Sequence, residues 1–276
     1  MNMKKGLLLA VVIFTSTAGF AQAQEGELSG TIDVTYVGKY LWRGFDLYGD
    51  KSAIQPSIDL DLYGTGFGLN VWWSRANASS FENAEEVDIT LSYSSNLFDS
   101  ETYATDYSVG WIYYGYPDQP RSGSTHGGRG DTNSDTQELF VSLSWPEICP
   151  AGTVPSYTLV KAWTSESGSA LSRGLSSSGG YGGYFHIFGI GYDLPIEDLL
   201  PDLPEQILNL SVATVFNDGV NGVDQDWSHT VFGASTDFDL GNDLTLTPGI
   251  YYQSSWEDTV NPSDEFWGTL GLSYAF

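Results

Sequence analysis

The sequence predicts an all-β protein, a closed antiparallel transmembrane β-barrel of twelve strands. Segments in which apolar and polar residues alternate recur from residue 28 to the C-terminus, and such a period of two indicates strands with two unlike faces. Carboxylates recur on the polar faces, where a wet interior would solvate them. The opposite faces are apolar and need a hydrocarbon environment. Since strands in lipid cannot leave unpaired edges, the sheet must close.

The first 23 residues have the pattern of a secretory signal peptide. Lys4 and Lys5 precede an apolar run over residues 7–14, and Ala21-Gln22-Ala23 supplies a small-x-small cleavage site. No later run approaches the ~18 apolar residues that a transmembrane helix needs. We therefore expect a signal peptide over residues 1–23 and an exported barrel over residues 24–276.

The strands follow in order, and the segment 86–93 is the clearest, with Val87, Ile89 and Leu91 alternating with polar residues. In 157–164 an outward Leu159 and Trp163 would bring Lys161 into lipid, and 180–192 is apolar on both faces. The predicted strands are 28–40, 54–62, 67–74, 86–93, 106–116, 137–145, 157–164, 180–192, 207–216, 227–238, 244–253 and 265–276.

The connections between these strands alternate in length. Residues 63–66 and 239–243 are short turns that contain Gly, whereas 115–136, 165–180 and 253–264 are long and polar. A barrel with both termini on the periplasmic side predicts short inner turns and long outer loops. Residues 193–206 are a longer inner link in which we expect a short helical turn.

The final strand resembles the closing strand of a bacterial outer-membrane barrel. That resemblance implies that its alternating residues are a signal for the barrel-assembly machinery, whereas the edge strand of a soluble sandwich is the alternative. The residues of this signal are Phe266, Leu270, Leu272, Tyr274 and Phe276.

Composition excludes some classes of function. The formal net charge is −25 with only 10 Lys and Arg residues, so a cationic surface for nucleic acid is absent. This imbalance is tolerable on wet loops and in a water-filled lumen. The single cysteine, Cys149, excludes an internal disulfide framework.

The predicted lumen carries rings of carboxylates, which favour cations over anions. The acidic candidates are Asp33, Asp59, Asp61, Asp88 and Glu138. Three cations near the outer mouth, Lys39, Arg43 and Arg75, would form an opposing positive wall. The 115–136 loop is the candidate constriction. Large side chains could instead fill the lumen, namely Tyr114, Tyr184, Phe188 and Trp267.

Signals for catalysis and metal binding are weak. The chain has three histidines, no Gly-x-Ser-x-Gly motif, and adjacent residues Ser228 and His229 that should point to opposite faces of a strand. Asp131, Asn133 and Asp135 have the oxygen spacing that begins a calcium loop, but the later EF-hand positions fail. We therefore expect no enzyme activity and no cofactor, with Ca²⁺ on these three residues as a weak alternative.

The segment Tyr40-Leu-Trp-Arg43-Gly44 resembles the aromatic-x-x-Arg-Gly motif in the first loop of the TorF family of porins. The similarity is closest at residues 109–117 and covers about residues 30–145, with Glu138 opening the next strand as the family pattern suggests. The resemblance implies a barrel in the outer membrane of a Gram-negative bacterium.

These patterns together predict a porin-like channel for passive diffusion of small hydrophilic solutes with a preference for cations. Twelve strands imply a narrow lumen. The expected partners are outer-membrane lipid, lipopolysaccharide, the barrel-assembly machinery and small polar solutes, without nucleic acid; oligomerisation is left open. The alternatives are a structural or surface-interaction barrel with an occluded lumen and, less favoured, an outer-membrane enzyme that modifies lipid.

Overall fold

The computed structural model describes residues 26–118, 134–165, 181–196 and 206–276. These residues form a closed antiparallel barrel. Its wall has twelve strands, because the short strand Phe238–Gly241 continues the strand Asp226–Ser235 along the same neighbour, Leu244–Ser255. The predicted fold class and strand number are confirmed.

The strands are numbered β1 to β15 in chain order. The short strand β13 belongs to the wall, whereas the short strands β2 and β3 form a separate two-stranded sheet. The strands are β1 Ser29–Val37, β2 Leu41–Trp42, β3 Phe45–Asp46, β4 Ala53–Asp61, β5 Phe67–Ala76, β6 Glu86–Leu97, β7 Thr105–Gly115, β8 Thr136–Ser144, β9 Thr153–Thr164, β10 Gly183–Pro195, β11 Ile207–Asn217, β12 Asp226–Ser235, β13 Phe238–Gly241, β14 Leu244–Ser255 and β15 Glu265–Ala275.

The first and last strands close the barrel. They pair antiparallel from Thr31 opposite Ala275 to Val37 opposite Thr269. Gly30 and Phe276 extend this ladder by exchanging two backbone hydrogen bonds of 2.9 Å each. The backbone of the closing strand therefore forms the hydrogen bonds that join β15 to β1, while its side chains alternate between the outer and inner faces of the wall.

The outer face of the wall is apolar, whereas the inner face carries the carboxylates together with an apolar cluster on β7 to β11. On β1, Ile32, Val34 and Tyr36 are exposed on the outside, whereas Asp33 between them is buried on the inside. On β15, Phe266 is 63% exposed and the adjacent Trp267 is only 3% exposed. An apolar exterior around a polar interior is typical of a transmembrane barrel.

The two ambiguous strands are resolved by the structure. On β9, Val160 and Ala162 face inward, and Lys161 lies outside with its Nζ atom 4.2 Å from the ring centroid of Tyr184. This cation–π contact lets the apolar stem of the lysine cover the wall.

On β10, Phe185 and Ile187 are the residues that fill the interior. The prediction that Tyr184 and Phe188 point inward is wrong, because their register places them outside, where they are 39% and 46% exposed. The prediction that Tyr114 and Trp267 point inward is confirmed.

The first strand ends at Val37, three residues before its predicted end at Tyr40. Gly38 makes the last backbone hydrogen bond of this segment to β15, where its N–H donates to the carbonyl of Gly268 at 2.8 Å. A Cβ atom at Gly38 would lie 3.3 Å from that carbonyl oxygen. The chain then leaves the wall and begins residues 38–52, which we name the first loop.

The barrel has two distinct ends. The terminus end carries both chain termini and the tight turn 62–66, where Tyr63, Gly64 and Gly66 have positive φ. The loop end carries the first loop and the links 77–85, 218–225 and 256–264. Most of the predicted loops 115–136 and 165–180, and the helical turn expected in 193–206, lie outside the described residues. Among the described residues no helix is long and apolar enough to cross a bilayer.

Candidate functional site

The first loop folds into the lumen as a small hairpin. Its strands β2 and β3 are joined by Arg43 and Gly44, whose φ angles are +46° and +96°. A two-residue turn with positive φ at both positions is a type I′ hairpin turn. A non-glycine residue at positive φ carries strain, so the surroundings of Arg43 must stabilise this conformation.

Arg43 is bound to the opposite wall. Its two terminal nitrogens donate to the two carboxylate oxygens of Glu138 on β8 at 2.5 and 2.6 Å. Both side chains are almost fully buried, at 1% and 0% exposed. Burial opposes the charge of the guanidinium, but the carboxylate of Glu138 prevails, so the pKa of Arg43 lies above its usual range. A paired, two-pronged contact of this kind fixes both charge and orientation.

Aromatic rings surround this ion pair. The guanidinium carbon lies 4.9 Å from the ring centroid of Trp42 and 4.7 Å from that of Phe185. Trp42 packs edge-on against Phe185 and Tyr114, and the Tyr114 hydroxyl donates to Glu138 at 2.8 Å. The hairpin is therefore held by packing, cation–π contact and hydrogen bonds together.

Gly44 permits the closest approach of the hairpin to the far wall. A Cβ atom there would lie 2.6 Å from Nδ1 of His229 and 2.8 Å from Cγ1 of Val260. The amide of Gln253 on β14 donates to the carbonyl of Gly44 at 3.0 Å. Because Glu138 and Gln253 belong to wall strands on different sides of the barrel, the hairpin spans the lumen.

The base of the first loop is anchored as well. Tyr40 donates to Glu86 at 2.9 Å, and Tyr48 donates to the carbonyl of Ala84 at 3.1 Å. Burial raises the pKa of Tyr48 to about 12, so it remains a hydrogen-bond donor. The ring of Tyr40 packs at 5.1 Å from Tyr48 and 5.6 Å from Trp72.

Lys39 joins the loop to the last strand. Its ammonium lies 2.5 Å from a carboxylate oxygen of Asp50 and 2.5 Å from one of Glu265. These hydrogen bonds raise the pKa of Lys39, and the bond from Lys39 lowers the pKa of Asp50. The carboxylates of Asp46, Asp50 and Glu265 converge within 4.8 Å, but the ammonium of Lys39 already supplies a cation to two of them.

Three buried carboxylates, Glu86, Asp88 and Glu138, form an acidic cluster beside the hairpin. Glu86 accepts hydrogen bonds of 2.9 Å from Tyr40 and 2.9 Å from Tyr116. Oδ1 of Asp88 is buried without a hydrogen-bond partner among the described residues. The sequence indicated Asp88 and Glu138 as lumen residues. From the sequence, Glu86 could be identified only as a residue on the polar face of its strand, because its hydrogen-bond partner Tyr40 is distant in the chain.

The other predicted acidic residues lie on the inner wall away from the hairpin. Asp33 accepts a hydrogen bond from Thr35 at 2.8 Å, and Asp59 accepts one from Asn70 at 2.8 Å. Asp61 is partly exposed near the terminus end. The structure thus places all five predicted carboxylates on the inner face. It brings Asp88 and Glu138 together beside the hairpin, and Asp33 and Asp59 lie near each other on the adjacent strands β1 and β4.

The three predicted cations do not form one positive wall. Arg43 is paired with Glu138 in the lumen, and Lys39 is paired with Asp50 and Glu265 at the base of the first loop. Arg75 belongs to the outer face, where its side chain is 65% exposed and its Nε atom lies 3.1 Å from Glu85. The expected constriction 115–136 is largely undescribed, and among the described residues the first loop occupies the lumen.

The expectation that the side chains of Ser228 and His229 point to opposite faces of a strand is wrong, because the two side chains are in contact. The register of β11 and β12 shifts between Val215 and Phe216, and this bulge turns both residues inward. Ser228 Oγ lies 2.8 Å from Nδ1 of His229 and also donates to the carbonyl of Val215 at 3.1 Å. Because the Ser228 hydroxyl donates its hydrogen to that carbonyl, its Oγ atom accepts a hydrogen bond from Nδ1–H of His229. A histidine that acts as a base would instead accept the hydrogen bond from the serine hydroxyl.

The candidate calcium residues are only partly visible. Asp131 and Asn133 lie outside the described residues. The carboxylate of Asp135 accepts hydrogen bonds from the Tyr113 hydroxyl at 2.6 Å and from the backbone of Tyr116 at 2.9 Å. These contacts hold the two ends of the 115–136 loop together beside β7 and β8. Calcium binding by the three residues stays a prediction.

The fold and this interior define a porin-like β-barrel. The KdgM porin is similar, with a TM-score of 0.50 and 11% identity over 89% of this chain and 99% of that chain. The NanC porin is similar with a TM-score of 0.52 and 11% identity over 89% of this chain and 98% of that chain. At this identity the likeness shows the fold alone.

A protein-family model described as "Bacterial protein of unknown function (Gcw_chp)" matches residues 21–159, and the chain belongs to this family. The matched region contains the first loop and the acidic cluster. A comparison with curated protein sequences finds no match.

Proposed function

We propose that the protein is a cation-preferring channel for passive diffusion of small hydrophilic solutes across the outer membrane of a Gram-negative bacterium, and that it is a TorF-family porin. The charge of the inner wall carries this proposal. Asp33, Asp59 and Asp88 face the lumen, while the inward-facing cations among the described residues, Lys39 and Arg43, are both neutralised by carboxylates. The remaining field is negative and concentrates cations.

The same charge limits the class of solute. One KdgM structure is described as a complex with disordered oligogalacturonate. Each galacturonate unit carries a carboxylate, and the inner wall of this chain would repel such a polymer. We therefore propose that the solutes here are neutral or cationic.

The first loop supplies the narrowing of the channel. A barrel of twelve strands is intermediate between small barrels filled by side chains and wide porins. The hairpin spans this lumen at the loop end, between Glu138 and Gln253. We propose that solutes pass beside the hairpin and that its position sets the conductance.

The outer face supports the membrane location. Apolar residues are exposed on every part of the closing strand, and hydrocarbon would cover them. We propose that the termini are periplasmic, that lipopolysaccharide contacts the loop end, and that the assembly machinery reads Phe276 and the outward residues of β15.

Ion selectivity in planar bilayers tests the channel. Under a salt gradient the wild-type protein should give a reversal potential of cation-selective sign. Asp33→Asn together with Asp59→Asn should move it toward zero, and Asp99→Asn, in an exposed link at the terminus end, should leave it unchanged. Anion selectivity of the wild type, or equal shifts in both variants, would reject the proposal.

The second candidate function is a structural or surface-interaction barrel with an occluded lumen. The packing of Trp42 against Phe185 and Tyr114, with Phe45 beside it, favours this candidate. A folded protein that passes no current, even when the hairpin is released by Arg43→Met, would support it. A lipid-modifying enzyme is less favoured, and unchanged lipids after substitution of His186 and His229 by alanine would discard it.

A further inference from the structure

The acidic cluster holds more carboxylates than its bound cation can satisfy. Glu138 is paired with Arg43 and Tyr114, and Glu86 accepts from Tyr40 and Tyr116. Asp88 is 8% exposed, and its Oδ1 atom has no partner among the described residues. A buried carboxylate oxygen without a partner is costly, so it indicates a site that a cationic donor completes.

The neighbours of Asp88 define the kind of cation. Trp72 on β5 and Tyr114 on β7 are its direct cross-strand partners, and both rings are buried on the inner face. Directly opposed residues in antiparallel strands have Cβ atoms about 5 Å apart. A carboxylate between two aromatic rings suits an organic ammonium group, which combines charge-assisted hydrogen bonds with cation–π contact.

A hard metal ion fits this arrangement less well. Calcium and magnesium take about six oxygen ligands. The carboxylates of Glu86 and Glu138 are already engaged by tyrosine hydroxyls and the guanidinium of Arg43. Asp88 alone, between two rings, does not supply a metal-ion cage.

The chain already binds one organic cation in the same manner. The guanidinium of Arg43 is held by the carboxylate of Glu138 and lies within 4.9 Å of the ring centroids of Trp42 and Phe185. Asp88 also combines one carboxylate with two neighbouring rings, but its Oδ1 atom accepts no hydrogen bond from Arg43 or from any other described residue.

We propose that Asp88, Trp72 and Tyr114 form a binding site for the ammonium group of a small organic cation in the lumen. The proposal rests on the proposed channel function, because solutes reach Asp88 only through the lumen. It narrows the solute class to amines, for which the negative potential of Glu86 provides further attraction.

Binding of putrescine to the full-length folded protein in detergent tests the site. Putrescine carries two ammonium groups, and 1,4-butanediol is its uncharged counterpart of similar size. Calorimetry should detect putrescine binding and no butanediol binding. Asp88→Asn should weaken putrescine binding by about tenfold to hundredfold, because the amide oxygen can still accept a hydrogen bond but the negative charge that attracts the ammonium is lost. The distant Asp99→Asn should change it by less than about twofold, since exposed charges are screened.

A second variant separates the rings from the charge. Trp72→Leu keeps Asp88 and should weaken putrescine binding about threefold to thirtyfold through the lost cation–π contact. Equal putrescine binding by the wild type and Asp88→Asn would overturn the site. Equal binding of putrescine and butanediol to the wild type would also overturn it, and this second comparison requires no variant.

The outcomes separate the site from the channel. A protein that binds putrescine at Asp88 but carries no current would retain the site and reject the channel. A protein that conducts cations without binding putrescine would retain the channel and reject the site.

Discussion

Arg43 and Glu138 lie 95 positions apart in the sequence and meet inside the barrel through hydrogen bonds of 2.5 and 2.6 Å. One belongs to a loop and the other to the wall, so the pair decides where the loop rests. Burying two charges is expensive, and it succeeds here because the contact is two-pronged and Tyr114 also donates to the carboxylate.

Breaking this pair should release the hairpin. Arg43→Met leaves Glu138 buried and unpaired, and we expect the free energy of unfolding to fall by about 3–5 kcal/mol. Single-channel conductance should rise because the lumen widens. Denaturant unfolding and bilayer recordings measure the two effects.

The pair of Arg75 and Glu85 provides the control, because the arginine side chain is 65% exposed on the outer face. Arg75→Met should cost about 0–1 kcal/mol and leave conductance unchanged. Arg43→Met combined with Glu138→Leu should recover part of the lost stability, because no unpaired charge remains. If Arg43→Met is no worse than Arg75→Met, the ion pair does not hold the loop.

Gly44 should tolerate no side chain. Alanine there meets both an unfavourable φ of +96° and a Cβ atom 2.6 Å from His229. Gly241→Ala is the matched control, because its φ is +77° and nothing lies within 4 Å. Both should cost about 1 kcal/mol for the backbone. Gly44→Ala should cost clearly more and raise conductance, and equal losses of stability would contradict the close approach.

The alternation of residues explains why the sequence predicted the wall well. Ile32, Asp33 and Val34 differ so strongly in polarity that only one register buries the carboxylate. The same rule failed on β10, where both faces are apolar, and Tyr184 and Phe188 were assigned to the wrong face. There the register is set by β9 and β11 and not by local pattern.

The candidate site was harder to predict because it depends on a loop. Nothing in the alternation shows that residues 38–52 turn inward, and the motif at Arg43 and Gly44 indicated a loop without its direction. The positive φ of Arg43 and the bulge at Ser228 are properties of the packed chain. The sequence predicts Glu138 as a lumen carboxylate but not its partner Arg43, which is 95 positions away in the chain.

The two faces of β15 should respond differently to charge. Leu272→Lys places an ammonium on the apolar exterior, and we expect a loss of about 2 kcal/mol or more in stability. Ser273→Lys places it opposite Asp33 on the inner face and should be nearly neutral. Unfolding in lipid vesicles measures both. A larger loss for Ser273→Lys would reverse the assignment of the faces.

The bond from Lys39 should be visible in the titration of Asp50. The lowered pKa of Asp50 means that the contact stabilises the fold above the unfolded pKa, about 3.9, and that this stabilisation is lost as pH falls through the folded value. In Lys39→Met the Asp50 carboxyl should titrate near its ordinary value. Carboxyl ¹³C shifts report this midpoint, and the same midpoint in both proteins would show that Lys39 does not hold Asp50.

The reversal potential of wild type and Arg43→Met, recorded under one KCl gradient, tests the central claim most directly. The acidic lumen predicts potassium selectivity in both proteins, with larger conductance in Arg43→Met because the hairpin no longer spans the barrel. Chloride selectivity in either protein, or no current through both, would contradict a wet, acidic channel narrowed by the first loop.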